Sequence, residues 1–241
     1  MRLVGAELLK VATAYRTALG IVLAQTAIVL LTTIATTRDA ARGAVLPDNF
    51  ERDLVGVATT SLLFATLLGV LIATTEYRHG TITLTFLTTP VRELALAAKA
   101  AAAIISSAVL VLPAVVIAVG IATVWVGDRP DFEFGGHEYE LVGRLFLAAA
   151  LVATLGFFIG ATLTRQLGAI IVVLGWLFFF EPALGALEPK TRDYLVGESL
   201  GGVLGSGDVA VSFDHALLVL AAYVVGLAVA ATVFTRRRDI T

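Results

Sequence analysis

Cysteine is absent from this 241-residue chain, which excludes disulfides, thiolate metal sites and cysteine nucleophiles together. Charge is scarce as well: 15% of residues are Asp, Glu, Lys or Arg, where a soluble domain carries about 25%. Neither sign dominates. The net charge is −2 and the pI near 5.9, so the chain lacks the basic face that the phosphates of a nucleic-acid partner require. Lysine occurs only as Lys10, Lys99 and Lys190, which follow Leu9, Ala98 and Pro189. A phosphate-binding loop needs Gly-Lys followed by Ser or Thr, because backbone amides and the lysine cradle the phosphates together. Nucleotide hydrolysis by this chain is therefore not expected, and any ATP must be handled by another polypeptide. What is abundant is apolar: 58% of residues are hydrophobic and the mean hydropathy is +0.92. That composition predicts an all-α polytopic membrane protein.

The ionisable residues fall in clumps separated by uncharged stretches, and about 20 mainly apolar residues suffice for a helix to cross the hydrocarbon core. Six stretches qualify, at residues 17–37, 54–75, 100–126, 145–164, 167–187 and 216–235. Glu181 and Pro182 interrupt the fifth. Six such spans leave short loops and no room for a separate soluble domain, so residues 1–241 are expected to form a single transmembrane domain.

With the N-terminus inside, the inner segments hold ten basic residues: Arg2, Lys10, Arg16, Arg78, Arg92, Lys99, Arg165, Arg236, Arg237 and Arg238. They hold four acidic ones, Glu7, Glu76, Glu93 and Asp239, which leaves seven of the 17 basic and fifteen of the 19 acidic residues outside. Basic residues favour the cytoplasmic side. Both termini are thus expected in the cytoplasm, with the chain in the cell membrane. The first apolar stretch exceeds the 7 to 15 residues of a signal core and is expected to stay as an anchor. Ahead of it, Val4, Leu8, Val11 and Tyr15 recur at helical spacing, so residues 1–16 read as an amphipathic helix lying in the inner interface. A plain helical extension of span one is the other reading.

The span cores contain no Asp, Glu, His or Lys of the kind an ion-driven transporter uses to bind and release its coupling ion. Glu181 and His215 fall at outer ends, where water is expected to reach them, and His137 falls in an outer loop. Metal sites and intramembrane hydrolases would need clustered ligands at span depth, and none is available.

The most informative segment is Glu76-Tyr77-Arg78-His79-Gly80-Thr81, followed by Ile82, Leu84, Phe86 and Leu87, then Thr89-Pro90-Val91-Arg92 and finally Lys99. Gly80 permits the backbone that ends a helix. Thr81 can cap a new short helix, and Thr89-Pro90 reads as an N-cap followed by a first-turn proline. A short capped helix with exposed apolar residues is a docking knob or, alternatively, an amphipathic loop resting on headgroups. At this point the sequence resembles the permease subunits of ABC-2 type ABC transporters, the exporters that pair a six-span membrane subunit with a separate ATPase. The likeness covers the layout of the whole chain: flat N-terminal helix, six spans, a short inner loop at Arg165 and a longer last outer loop at residues 188–214. The resemblance implies that residues 76–99 form a cytoplasmic coupling region, to which it assigns Glu76, Tyr77, Arg78, Gly80, Thr81, Pro90 and Arg92. It implies no cofactor and no catalytic residue on this chain, with ATP and Mg on a partner ATPase dimer. It implies a second permease subunit, identical or related, and export of an amphiphilic or drug-like substrate. For the last outer loop, with Tyr194-Leu195-Val196 and Gly201, Gly202, Gly205 and Gly207, it implies short helices dipping back into the membrane; a flexible surface loop is the alternative. A secondary transporter and a passive channel or scaffold are the rival functions.

Three smaller features complete the reading. Gly156 and Gly160 let two helix backbones approach closely, within the subunit or between copies. Trp176 and Phe178 to Phe180 suit an interfacial aromatic anchor. Pro113 is expected to bend span three.

Overall fold

The computed structural model describes residues 2–13, 15–47, 49–82, 91–205 and 211–237. They form helices and connecting turns, without a strand among the described residues. In chain order the helices are α1 (Arg2–Thr13), α2 (Tyr15–Ala41), α3 (Phe50–Ala58), α4 (Ser61–Arg78), α5 (Arg92–Val126), α6 (Gly136–Leu163) and α7 (Gln166–Gly175). A π turn (Trp176–Phe180) leads into α8 (Glu181–Leu187), a 3-10 turn (Pro189–Tyr194) into α9 (Val196–Leu204), and α10 (Phe213–Arg237) closes the described chain. Six stretches are long and apolar enough to span a membrane: Leu19–Ala41, Phe50–Arg78, Arg92–Val126, Gly136–Leu163, Gln166–Leu187 and Phe213–Arg237. The protein is a multi-pass membrane protein. The expected spans match these within a few residues at most ends; the largest difference is at Gly136, where helix begins nine residues before the expected 145.

Spans two and four form the centre of the bundle, with more than half of their most apolar 18-residue stretches buried, whereas in spans one, five and six that share is 17% and the helices sit at its edge. Glycine makes the centre possible. A Cβ on Gly69 would lie 2.0 Å from the Ala153 carbonyl oxygen, and one on Gly156 would lie 2.1 Å from that of Thr66. At Gly160 it would come within 2.9 Å of the Ala73 Cβ. The Gly156-x-x-x-Gly160 spacing therefore packs α6 against α4 inside one chain, backbone on backbone. The matched order of contacts, Thr66 with Gly156 and then Ala73 with Gly160, makes the two helices parallel, as alternate spans must be. Alanines such as Ala102, Ala103, Ala114, Ala148 and Ala149 are fully or almost fully buried and keep the neighbouring helices close.

Many hydroxyls in the spans donate to carbonyls of their own helices. Thr33 donates to the Val29 carbonyl at 2.7 Å, Thr66 to Leu62 at 2.8 Å and Ser107 to Ile104 at 2.7 Å. Thr59, Thr60 and Ser61 each donate to the carbonyl three residues back, at the turn between α3 and α4. Helix α5 runs unbroken through Pro113. One polar side chain crosses between helices there: buried Gln25 of α2 donates Nε2–H to the Leu110 carbonyl of α5 at 2.6 Å.

At the face opposite the termini, Arg129 ties the loop after α5 to the end of α2. Its guanidinium donates to the Ala40 and Ala44 carbonyls at 3.0 and 2.7 Å and pairs with Asp131. That pairing holds the exposed Asp131 carboxyl below its ordinary value of 3.8. Phe50, Leu46 and Phe132 pack beneath it.

Candidate functional site

At the face that carries the termini, α4 ends in a Schellman motif. Gly80 has φ +68°, its N–H donates to the Tyr77 carbonyl at 3.3 Å, and the Thr81 N–H donates to that of Glu76 at 3.0 Å. These two bonds satisfy carbonyls the helix end would leave open, and glycine adopts the left-handed backbone without a Cβ penalty. Thr81 thus closes α4. Thr83 to Pro90, including the expected Thr89-Pro90 cap and the Leu84, Phe86 and Leu87 contacts, lie outside the described residues.

The chain returns at Val91, and the first turn of α5 is fastened to the last turn of α10. The Arg92 guanidinium donates to the Thr235 carbonyl at 2.7 Å, and Arg236 pairs with Glu93. Arg78, at the end of α4, donates to the Gln166 side-chain oxygen at the start of α7 at 3.0 Å. Both described ends of the connection between α4 and α5 are therefore held to spans that follow much later in the sequence.

Beneath them lies a closed ring of two lysines and two glutamates. Lys10 is 2.7 Å from both Glu7 and Glu76, and Lys99 is 2.7 Å from Glu7 and 2.8 Å from Glu76. Each lysine touches both carboxylates and each carboxylate touches both lysines, so the ring is neutral. Glu7, Glu76 and Lys99 are buried, while the Lys10 side chain is 47% exposed. Burial alone would lower the Lys10 ammonium, but hydrogen bonds and the charges of Glu7 and Glu76 outweigh it and hold its pKa above the ordinary 10.5. The ring binds α1 to α4 and α5, and a cavity of about 20 Å³ lined by Tyr77, Lys99 and Thr235 sits beside it.

Of the residues expected in the coupling region, Glu76 points inward into the ring and Tyr77 is half-buried. Arg78, Gly80 and Thr81 are exposed, and Arg92 is engaged with α10. Pro90 lies outside the described residues. Glu7 and Lys10 are expected on the N-terminal interfacial helix and Lys99 at the end of residues 76–99, where span three begins; the ring joins Glu7 to Lys99 across 92 residues of sequence. Only the Glu7 and Lys10 spacing of three was legible beforehand, since the other contacts depend on tertiary packing.

The opposite face differs from expectation at Glu181. Water was expected to reach it, yet Glu181 is only 6% exposed. The π turn precedes it directly, closed by the Glu181 N–H to the Trp176 carbonyl five residues back. Glu181 Oε1 accepts the Gly197 N–H, while Oε2 has no partner. The loop before α10 is built rather than loose in its described part. Val203 of α9 is fully buried, Gly202 meets Ala216 of α10, and the Tyr223 hydroxyl donates to the Tyr194 carbonyl at 3.1 Å. The described residues contain no group of three or more His, Asp or Glu able to hold a metal.

No protein-family model matches this chain, and a search of curated proteins finds no match.

Proposed function

We propose that the chain is the permease subunit of an ABC-2 type exporter, moving an amphiphilic or drug-like substrate with ATP and Mg handled by a separate ATPase dimer. A second permease subunit, the same chain or a relative, completes the pathway, and the termini lie in the cytoplasm with α1 along the inner interface. The observation that carries this reading is the construction around residues 76–99. The segment leaves α4 through a stop at Gly80, returns at Arg92 clasped to α10, and rests on the ring that joins α1, α4 and α5. A force applied to such a segment reaches four helices through short, charge-assisted contacts. Packed helix interfaces respond by switching arrangement rather than by bending continuously, which is how a local push becomes a change of access. The chain has no phosphate-binding Gly-Lys sequence, which supports a mechanical link to a partner's nucleotide cycle.

A secondary carrier has one observation in its favour: Glu181 is a buried carboxylate within span five, the kind of group that binds a coupling ion. Co-expression with a candidate ABC ATPase, reconstitution into proteoliposomes and a transport assay separate the two. The permease reading expects uptake into inside-out vesicles that requires ATP, survives a proton uncoupler, and falls when residues 80–90 are replaced. Uphill movement by the purified chain alone, or transport abolished by the uncoupler and indifferent to ATP, overturns it.

A further inference from the structure

Between span five and the last loop is a cavity of about 550 Å³ walled by Leu177, Glu181, Pro182, Arg192, Leu195 and Glu198. Its volume lies in the range of small-molecule sites. Two features make it more than a surface dent. Glu181 is buried, forms no ion pair among the described residues, and keeps Oε2 without a partner at hydrogen-bond geometry, with the Trp176 indole facing the same carboxyl. A buried carboxylate left in this state is costly, and the structure holds it there by the π turn that re-aims the helix immediately before it. The other charged groups in the wall are Glu198 and the exposed Arg192, whose Nε–H is already donated to the Gly185 carbonyl at 2.9 Å. With two carboxylates and one guanidinium the cavity is acidic, and Leu177, Pro182 and Leu195 supply apolar walls.

We infer that this cavity binds an amphiphilic ammonium: the N–H donors of a protonated amine on Glu181 Oε2 and its apolar body against Leu177, Pro182 and Leu195. An ammonium supplies donors and the opposite charge at once, the two things the orphaned oxygen lacks. Glu181 sits six residues before the end of α8, about 9 Å of helix rise from it, so an amine can enter from water while its chain lies along the bundle. The site stands independently of the transport reading. The amine can be a soluble amphiphile or the headgroup of an aminolipid, and the test separates these sources.

The full chain carrying Trp125→Phe, which leaves Trp176 as the sole indole, is placed in nanodiscs of phosphatidylcholine and titrated with dodecylamine at neutral pH. Trp176 begins the π turn beside the cavity, so its fluorescence reports occupancy. The expected result is a saturable change, at least about tenfold weaker with uncharged dodecanol and about tenfold or more weaker in Glu181→Gln, the range of a charge-assisted hydrogen bond. Adding phosphatidylethanolamine to the nanodiscs competes the probe away if an aminolipid is the occupant, and leaves the titration unchanged if a soluble amine is. A Glu181→Gln titration equal to that of the parent, or dodecanol binding as tightly as dodecylamine, overturns the inference. The second comparison uses the parent protein and holds even if the variant misfolds.

Discussion

The ion ring makes its sharpest prediction through Lys99. Replacing it by Met keeps the length of the side chain and removes the cation that is 2.7 Å from Glu7 and 2.8 Å from Glu76. Both carboxylates are buried, and each then loses one of its two lysine partners in the ring. Removing one member of a buried pair typically costs about 3–5 kcal/mol, because the other charge is left uncompensated in a low dielectric. Lys10→Met deletes the corresponding two ion pairs of the ring from a side chain that is 47% exposed, where water replaces much of what is lost. Its cost should stay near the range of partly solvated pairs, about 1 kcal/mol or less. Unfolding of the purified protein by SDS in mixed micelles, followed by circular dichroism, measures both. Lys99→Met should lower stability several-fold more than Lys10→Met. Adding Glu76→Gln to Lys99→Met should recover part of the loss by removing the excess buried negative charge. Equal effects of the two lysine substitutions, or no recovery in the double variant, would refute the buried ring as the element that anchors α1.

Three further outcomes follow from other contacts. Gly156→Ala places a Cβ 2.1 Å from the Thr66 carbonyl oxygen and should cost about 1–3 kcal/mol in the same assay, whereas Gly120→Ala and Gly226→Ala, with nothing within 4 Å, should be close to neutral. Gly80→Ala must adopt φ +68° and should destabilise the end of α4 by about 1–2 kcal/mol; faster amide exchange at Gly80 and Thr81 is the readout, and unchanged exchange counts against the Schellman stop. The Lys10 pKa is raised by its carboxylate partners, so its contribution to stability should be complete below pH 10.5 and vanish as pH rises through its folded value. Lys10→Met should therefore lose its disadvantage at strongly alkaline pH.

The spans were legible in the sequence because each is a run of apolar residues whose only requirement is length. The stop at Gly80 was legible for a similar reason: one residue type removes the penalty of one backbone conformation. The partner of Gly156 and Gly160 was not legible, since a Gly-x-x-x-Gly spacing says that a backbone approaches and not which one; Thr66, Val70 and Ala73 answer that only in three dimensions. Glu181 was misplaced for a comparable reason. Its position near the end of span five suggests water, but the π turn before it and the Tyr194 to Leu204 segment folded over it determine what the carboxylate meets.

Charge scarcity also changes what each remaining charge signifies. A chain with 15% charged residues that nevertheless buries two glutamates and a lysine in one contact set has concentrated its ionic interactions at the end of the bundle where α1, α4 and α5 meet. Apolar side chains there would pack at least as favourably, since buried ion pairs seldom add net stability over them. What a neutral ring adds is geometry: it holds only when Glu7, Lys10, Glu76 and Lys99 meet in one register, so a small slide of α1 against α5 breaks contacts of 2.7 Å instead of merely sliding methyl groups.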